Sequence, residues 1–397
     1  MQRVYMDHNA TTPVHPEILE AMMPFFRDQF GNPSSIHWAG REVKSALDEA
    51  REKVAALLKA NPQEILFTSG GTESDNMAIK GVAYSLKEKG RHIITSRVEH
   101  HAVLHTCQFL EKAGYEVTYL PVDSEGLINP ENLRRAIRPD TILITIMMAN
   151  NETGTISPFQ EIGEVAREKG VVFHTDAVQA VGKIPIDLQK FPAEILSLSG
   201  HKLYAPKGIG AQYIRSGVRF AQLVHGGSQE ANRRAGTENI PSIIGLGKAC
   251  EIAQRDFDRR VQHLLGLRER LHQGIIRQIP HIKLNGHPTK RLPNTLNMSF
   301  LYIEGESILL NLDLEGVAVS SGSACTSGSL DPSHVLLAMG VPHEIAQSAI
   351  RFSLGWKNTE QEVDYVLEVL PRIVQRLRDI SPLYKKRISA GSGNPRG

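Results

Sequence analysis

The alternation of strand-like and helix-like segments constrains this chain more than any other feature. From Glu64 onward, short runs of β-type residues alternate with amphipathic stretches. Ile65 to Phe67, His92 to Thr95, Tyr115 to Leu120, Thr141 to Met148, Val171 to Phe173 and Glu194 to Ser197 read as strands. Glu73 to Lys89, Ala102 to Ala113, Asn132 to Ile137 and Pro158 to Lys169 read as helices between them. Thr141 to Met148 is almost continuously apolar, as strands buried on both faces are. This rhythm predicts an α/β fold, a mostly parallel sheet covered by helices on both faces. At 397 residues the chain is too long for one small core, and a large domain plus a smaller one is expected.

The rhythm changes near residue 240. A helical stretch from about Ile243 to Gln278 leads into a second region with strands at Thr295 to Phe300, Val317 to Ser320 and Ile350 to Ser353. Helices are expected there at Glu306 to Leu314 and Thr359 to Arg378. The expected division is a large domain over 16–250 and a small α+β domain over 251–384, with 1–15 packing on the small one. The basic, Gly- and Ser-rich tail 385–397 is expected to be disordered.

Composition removes several function classes. The 45 basic and 43 acidic side chains leave a net charge of +2, which does not suit a nucleic-acid-coating protein. The three cysteines, Cys107, Cys250 and Cys325, are widely spaced and match neither a zinc pattern nor a disulfide framework. A reducing cytoplasm is the expected setting. The segment MQRVYMDHNATT lacks the apolar core of a signal peptide, and no apolar run reaches membrane-spanning length.

Four segments carry chemistry. Ser69-Gly70-Gly71-Thr72-Glu73-Ser74 follows a strand and opens a helix. It fits an anion-binding loop, and equally a Gly turn with Thr72 near the cap. Asp176, at the end of a strand, lies where open α/β sheets bind ligands; it also fits a helix-capping Asp. Lys202, in Ser199-Gly200-His201-Lys202, follows the next strand 26 residues on. A lysine and an aspartate so placed could hold opposite ends of one flat cofactor ring. Ser320 to Ser329 contains no bulky or charged residue, so it is expected to be mobile and exposed, and Cys325 within it reads as a reactive thiol. Cys107 and Cys250 read as packing residues. His100, His101 and His105 cluster, but without an HExxH pattern no metal site is expected. Arg351, inside a β-type run, suits either an internal salt bridge or a grip on a substrate carboxylate.

Together these segments resemble the NifS/IscS-type cysteine desulfurases of the class-V aminotransferase family, closest to the NifS-like branch. The resemblance runs from about Val4 to Leu383. It rests on DHNATTP at the start, FGNPSS at 30–35, FTSGGTESDN at 67–76, EHHAV at 99–103, NNETGT at 150–155, HTDAVQAVGK at 174–183, SGHK at 199–202, RRAGTEN at 233–239, SSGSACTSGS at 320–329 and IRFSLG at 350–355. It implies the fold-type-I architecture of pyridoxal 5'-phosphate enzymes and a homodimer. By the resemblance, Lys202 is the Schiff-base lysine, Asp176 the partner of the pyridine nitrogen and His100 the stacking imidazole. Gln179 and Asn151 lie near the ring oxygen. Gly71, Thr72, Ser199 and His201 meet the phosphate, and Thr237 reaches it from the other subunit. Arg351, assisted by Asn32, holds the substrate carboxylate. The implied reaction takes L-cysteine to L-alanine and leaves a persulfide on Cys325, for transfer to an acceptor such as an iron–sulfur scaffold protein. A cluster held by the scaffold would touch Cys325 only transiently. A selenocysteine lyase or transaminase on the same fold, and a non-catalytic sulfur-relay subunit, are the competing readings.

Overall fold

The computed structural model describes residues 3–321 and 331–391, so Cys325 and the tail beyond Gly391 lie outside the described residues. Its strands are β1 (Val4–Tyr5), β2 (Ile65–Thr68), β3 (His92–Ser96), β4 (Glu116–Leu120), β5 (Thr141–Thr145), β6 (Val172–Asp176), β7 (Ile195–Ser199), β8 (Gly210–Ile214), β9 (Ile282–Asn285), β10 (Thr295–Phe300), β11 (Val317–Ala318), β12 (Ser320–Ser321) and β13 (Ala349–Ser353). The main sheet has the order β2-β8-β7-β6-β5-β3-β4. Its pairs are parallel except those made by β8, which runs against both neighbours. The architecture is α/β with a mixed, mostly parallel sheet. Because the other six strands share one direction, their carboxyl ends lie along one edge, where such sheets gather ligands.

Burial follows the pattern of the sequence. β3, β5, β7 and β8 are buried at every residue. Two apolar clusters cover the sheet, one containing Leu47, Val54, Ile144 and Phe173, the other Leu66, Met77, Ile93 and Cys107. A third, around Leu271, Met298, Phe352 and Val366, lies under the antiparallel sheet β12-β13-β10-β9. Val4 and Met6 belong to this third cluster, and β1 pairs in parallel with β11.

Three details differ from the sequence reading. The expected helix from Ile243 to Gln278 is two helices, Ile240–Arg255 and Phe257–Gln278. Asp256 separates them: it favours caps over helix interiors, and its carboxylate is held by Arg255 and Arg259. The expected strand Val317 to Ser320 changes partner at Val319, pairing first with β1 and then, through Ser320 and Ser321, with β13. Ser320 is thereby buried, contrary to the expected exposure of the segment's start. The chain from Lys385 to Gly391, expected to be disordered, is helical within Pro382–Gly391. Ser381 Oγ accepts the Tyr384 amide at 3.3 Å, and the Tyr384 ring packs on His281 and Tyr302 under the Arg378 guanidinium, which anchors this helix. Among the described residues no helix is long and apolar enough to cross a membrane.

Candidate active site

A cavity of about 300 Å³ opens at the carboxyl edge of the main sheet. β2 delivers Gly71 and Thr72 to it, β3 His100, β5 Asn151, β6 Asp176 and Gln179, and β7 Ser199, His201 and Lys202. Arg351 comes from β13 of the small sheet, and Asn9 and Ala10 from the segment after β1.

The helix Gly71–Ser85 begins at the cavity. Its cap is Gly70, not Thr72, and Gly70 supplies no side-chain hydrogen bond to the first turn. At φ 151° Gly70 takes a backbone conformation that other residues rarely adopt. The Ser69 amide is satisfied by Glu73 Oε2 at 2.8 Å, and Arg234 holds that carboxylate. The helix start thus keeps first-turn amides for an anion, with Ser199 and His201 beside them.

Asp176 ends β6 and is 6 % exposed. Its Oδ1 accepts the Val178 amide at 2.9 Å, closing a turn rather than capping a helix, since among the described residues no helix stands between β6 and β7, and the residue lines the cavity. Burial raises its pKa to about 6, against that hydrogen bond and the Lys202 charge, so a cation brought to it would be strongly favoured. Asp75, in the same cavity, is pushed well up by burial and then by Asp176. His174 sits between them and the core; its ring bonds Thr145 and Ser197 at 2.8 and 2.9 Å, and burial drives its pKa down to about 3.

Lys202 Nζ donates to the carbonyls of Asn9 at 2.5 Å and Ala10 at 2.7 Å. Gln179 Nε2 donates to the same Asn9 carbonyl at 3.0 Å. His100 caps the helix His101–Lys112 by accepting the Ala102 amide on Nδ1 at 3.1 Å. Burial, then the charges of His101 and Lys202, lowers its pKa to about 4, so its ring is neutral at physiological pH. Arg351 makes the expected internal salt bridge, Nη2 to Asp7 Oδ1 at 2.8 Å, and Nη1 donates to the Asn151 carbonyl. Its Nε is buried with no hydrogen-bond partner among the described residues, although the side chain lines the cavity. Of the two readings of Arg351, the internal salt bridge is the one present in the structure.

The structure brings together Gly71, Thr72, His100, Asn151, Asp176, Gln179, Ser199, His201, Lys202 and Arg351. Thr237 and Asn32 are exposed and line no part of this cavity. Among the described residues no group of three or more His, Cys, Asp and Glu is arranged to hold a metal; His101 instead stacks on His105 and His334 at 5.0 and 4.8 Å. Sequence reasoning passed over Asn9, Ala10 and Asp75 as lining residues, and Asp7 as the Arg351 partner. All four lie in DHNATTP or FTSGGTESDN, segments whose polar residues are dense for their position beside strands.

The class-V aminotransferase family model matches residues 4–366. The protein named cysteine desulfurase IscS of Methanosarcina thermophila is 59% identical over 383 residues, 96% of this chain and 95% of that one. Its namesake in Dictyoglomus turgidum is 57% identical over 97% of this chain and 98% of that one. A solved structure named NifS-like protein shares 42% identity and superposes with a TM-score of 0.90, covering 95% of this chain and 100% of the other. That of SspA in complex with cysteine shares 41% identity, with a TM-score of 0.80 and coverage of 88% and 98%. The chain belongs to the class-V aminotransferase family and, within it, to the NifS/IscS-type cysteine desulfurases.

Proposed function

We propose that this chain is a pyridoxal-phosphate-dependent cysteine desulfurase that converts L-cysteine to L-alanine and carries the sulfur away as a persulfide on Cys325. The observation that carries the reading is the convergence of Lys202, Asp176, His100 and Arg351, from four separate strands and their following loops, on one cavity. The residues fit the cofactor: open first-turn amides with Ser199 and His201 suit a phosphate, and the buried Asp176 carboxylate suits a protonated ring nitrogen. When bound, pyridoxal phosphate supplies an electron sink for charge that develops at the substrate α-carbon.

The protein's own groups do the rest. Arg351, on the cavity wall, supplies the guanidinium charge that holds the substrate carboxylate. Lys202 provides the amine that anchors the cofactor and then takes the α-proton. His100, neutral at pH 7, moves protons at Nε2, its Nδ1 being held by the Ala102 amide. The Cys325 thiolate attacks the substrate sulfur, the carbon–sulfur bond breaks, and a proton completes alanine. Cys107 and Cys250 are free, buried thiols with pKa values pushed up by burial, so neither competes for this role. We further propose a homodimer in which Thr237 of one subunit serves the other's phosphate site, Asn32 as an aid to Arg351, a cytoplasmic setting, and an iron–sulfur scaffold protein as acceptor.

Cys325→Ala is expected to abolish alanine release from cysteine while leaving the visible cofactor band intact. Undiminished alanine release would overturn the persulfide step. Lys202→Ala is expected to lose the covalent label that borohydride leaves on the loaded wild-type chain.

A further inference from the structure

One close contact beside the cavity has no part in the roles above. After β6 the chain makes a helical turn, with the Val181 amide bonded to the Ala177 carbonyl, and this places Lys183 one turn beyond Gln179. Lys183 Nζ donates to Gln179 Oε1 at 2.9 Å. Gln179 Nε2 donates to the Asn9 carbonyl at 3.0 Å, the acceptor that also receives Lys202 Nζ. Gln179 is 5 % exposed and lines the cavity; Lys183 does not line it.

The two ends of a carboxamide are chemically opposite, one accepting and one donating. An amine beside the amide selects its oxygen, because the amine brings N–H groups and an ammonium brings nothing else. Flipping the Gln179 amide would set its NH₂ against the Lys183 amine and its oxygen against the Asn9 carbonyl. Both hydrogen bonds would be lost, leaving buried polar groups unpaired. We propose that Lys183 is a positioning residue that locks the Gln179 carboxamide with its N–H donors toward the cofactor cavity. The inference rests on the cofactor reading, in which Gln179 lies near the ring oxygen, and it fixes which end of the amide that oxygen meets.

Burial, then the charges of Lys202, Arg260 and Arg351, draws the Lys183 pKa down to about 7. The ammonium form locks the amide most firmly, since it has only N–H to offer, whereas the neutral amine still donates to Oε1 but could also accept from a flipped amide. A donor held against the ring oxygen favours its anionic form, so the lock lowers the pH at which the bound cofactor changes its visible absorption.

The test is a pH titration of the visible band in the cofactor-loaded full chain, beside the pyridoxal phosphate affinity of the apoprotein. Lys183→Met, which keeps length but removes the donor, is expected to move the midpoint up by about one pH unit, a tenfold change. It is also expected to weaken cofactor binding severalfold. Lys183→Arg keeps a donor and is expected to stay within a few tenths of the wild type. In a Gln179→Leu background, Lys183→Met is expected to cause no further movement. An unchanged midpoint in Lys183→Met, or a shift that persists without Gln179, would overturn the lock. Should Lys183→Met fail to fold, Lys183→Gln decides, because its amide can meet either end of the Gln179 carboxamide and so removes the selection while keeping a polar partner. An upward shift supports the lock and a static midpoint sinks it. A wild-type chain that gains no visible band with pyridoxal phosphate refutes the cofactor reading, whereas a band indifferent to Lys183 refutes only the lock.

Discussion

Glu99 spends its hydrogen-bonding capacity inside the protein. Ser96 Oγ donates to it at 2.6 Å, the Met147 amide reaches both its oxygens at 3.0 Å, and its own carbonyl takes His334 Nε2. It thus ties the ends of β3 and β5 together just before His100 enters the cavity. Burial raises its pKa from 4.5 to about 8. A carboxyl raised in this way holds its proton in the folded state, so its stabilising contribution is full below pH 4.5 and is lost as pH rises toward 8. Thermal melting is therefore expected to fall between pH 6 and pH 9 in the wild type, and to fall less in Glu99→Gln; equal falls would mean Glu99 does not titrate there. Arg351 offers a sharper test of chemistry. Two of its nitrogens are committed separately, Nη2 to Asp7 and Nη1 to the Asn151 carbonyl, while the side chain lines the cavity. Lysine cannot reproduce that fork. Arg351→Lys is expected to raise KM for cysteine by about tenfold or more with a smaller change in kcat, as befits a group that binds substrate and transition state alike. Steady-state kinetics with saturating cofactor reads the split.

At the scale of elements, the antiparallel strand β8 decides how tightly the anion-binding turn is built. Gly210, at its start, faces Gly70 so closely that a Cβ would lie 2.7 Å from both Gly70 Cα and Leu198 O. These are backbone atoms and cannot swing aside. Gly210→Ala is expected to cost about 1–3 kcal/mol in denaturant unfolding, the usual penalty of overpacking, and to weaken pyridoxal phosphate binding to the apoprotein. An unaffected affinity would show that the turn tolerates displacement. This strand illustrates what the sequence made legible and what it hid. The helices and parallel strands announced themselves by periodicity, and Asp176 and Lys202 by ending adjacent strands, β6 and β7. β8 reads Gly-Ala-Gln-Tyr-Ile, no shorter than its neighbours but opened by glycine and carrying a central Gln, and its direction depends on pairing with β2 and β7 rather than on its own residues. The partner change at Val319 was hidden for a related reason, since it depends on β1 and β13, far away in sequence; the break at Asp256 rests on its neighbours Arg255 and Arg259 and was passed over. Gln179 was named by likeness to a family, but the amine that orients it lies one turn beyond and only the folded chain brings the pair to 2.9 Å.

For the whole molecule, the site is shared between parts that the chain order keeps apart. Lys202 and Gln179 stand on the large sheet, Arg351 on the small one, and the segment 7–12 runs between them. If Thr237, exposed here, completes the phosphate site of a second subunit, activity should be recoverable in a mixed dimer. Coexpressing Lys202→Ala with Thr237→Ala would leave one site with both wild-type groups, so mixed dimers isolated by two affinity tags should recover up to half the wild-type activity. Activity no greater than half that of the Thr237→Ala parent would place Thr237 in its own subunit's site or outside catalysis. The segment after β1 has a further consequence, for the order of events at the ribosome. The Asn9 amide is bonded to Ser353 Oγ, 344 residues later, and Val4 is paired with Val317. The carbonyls that receive Lys202 cannot be fixed in place until those partners have been translated and have cleared the exit tunnel. A nascent chain stalled short of β13 would carry a finished large sheet and an unfinished catalytic lysine, so it should not yet hold its cofactor firmly.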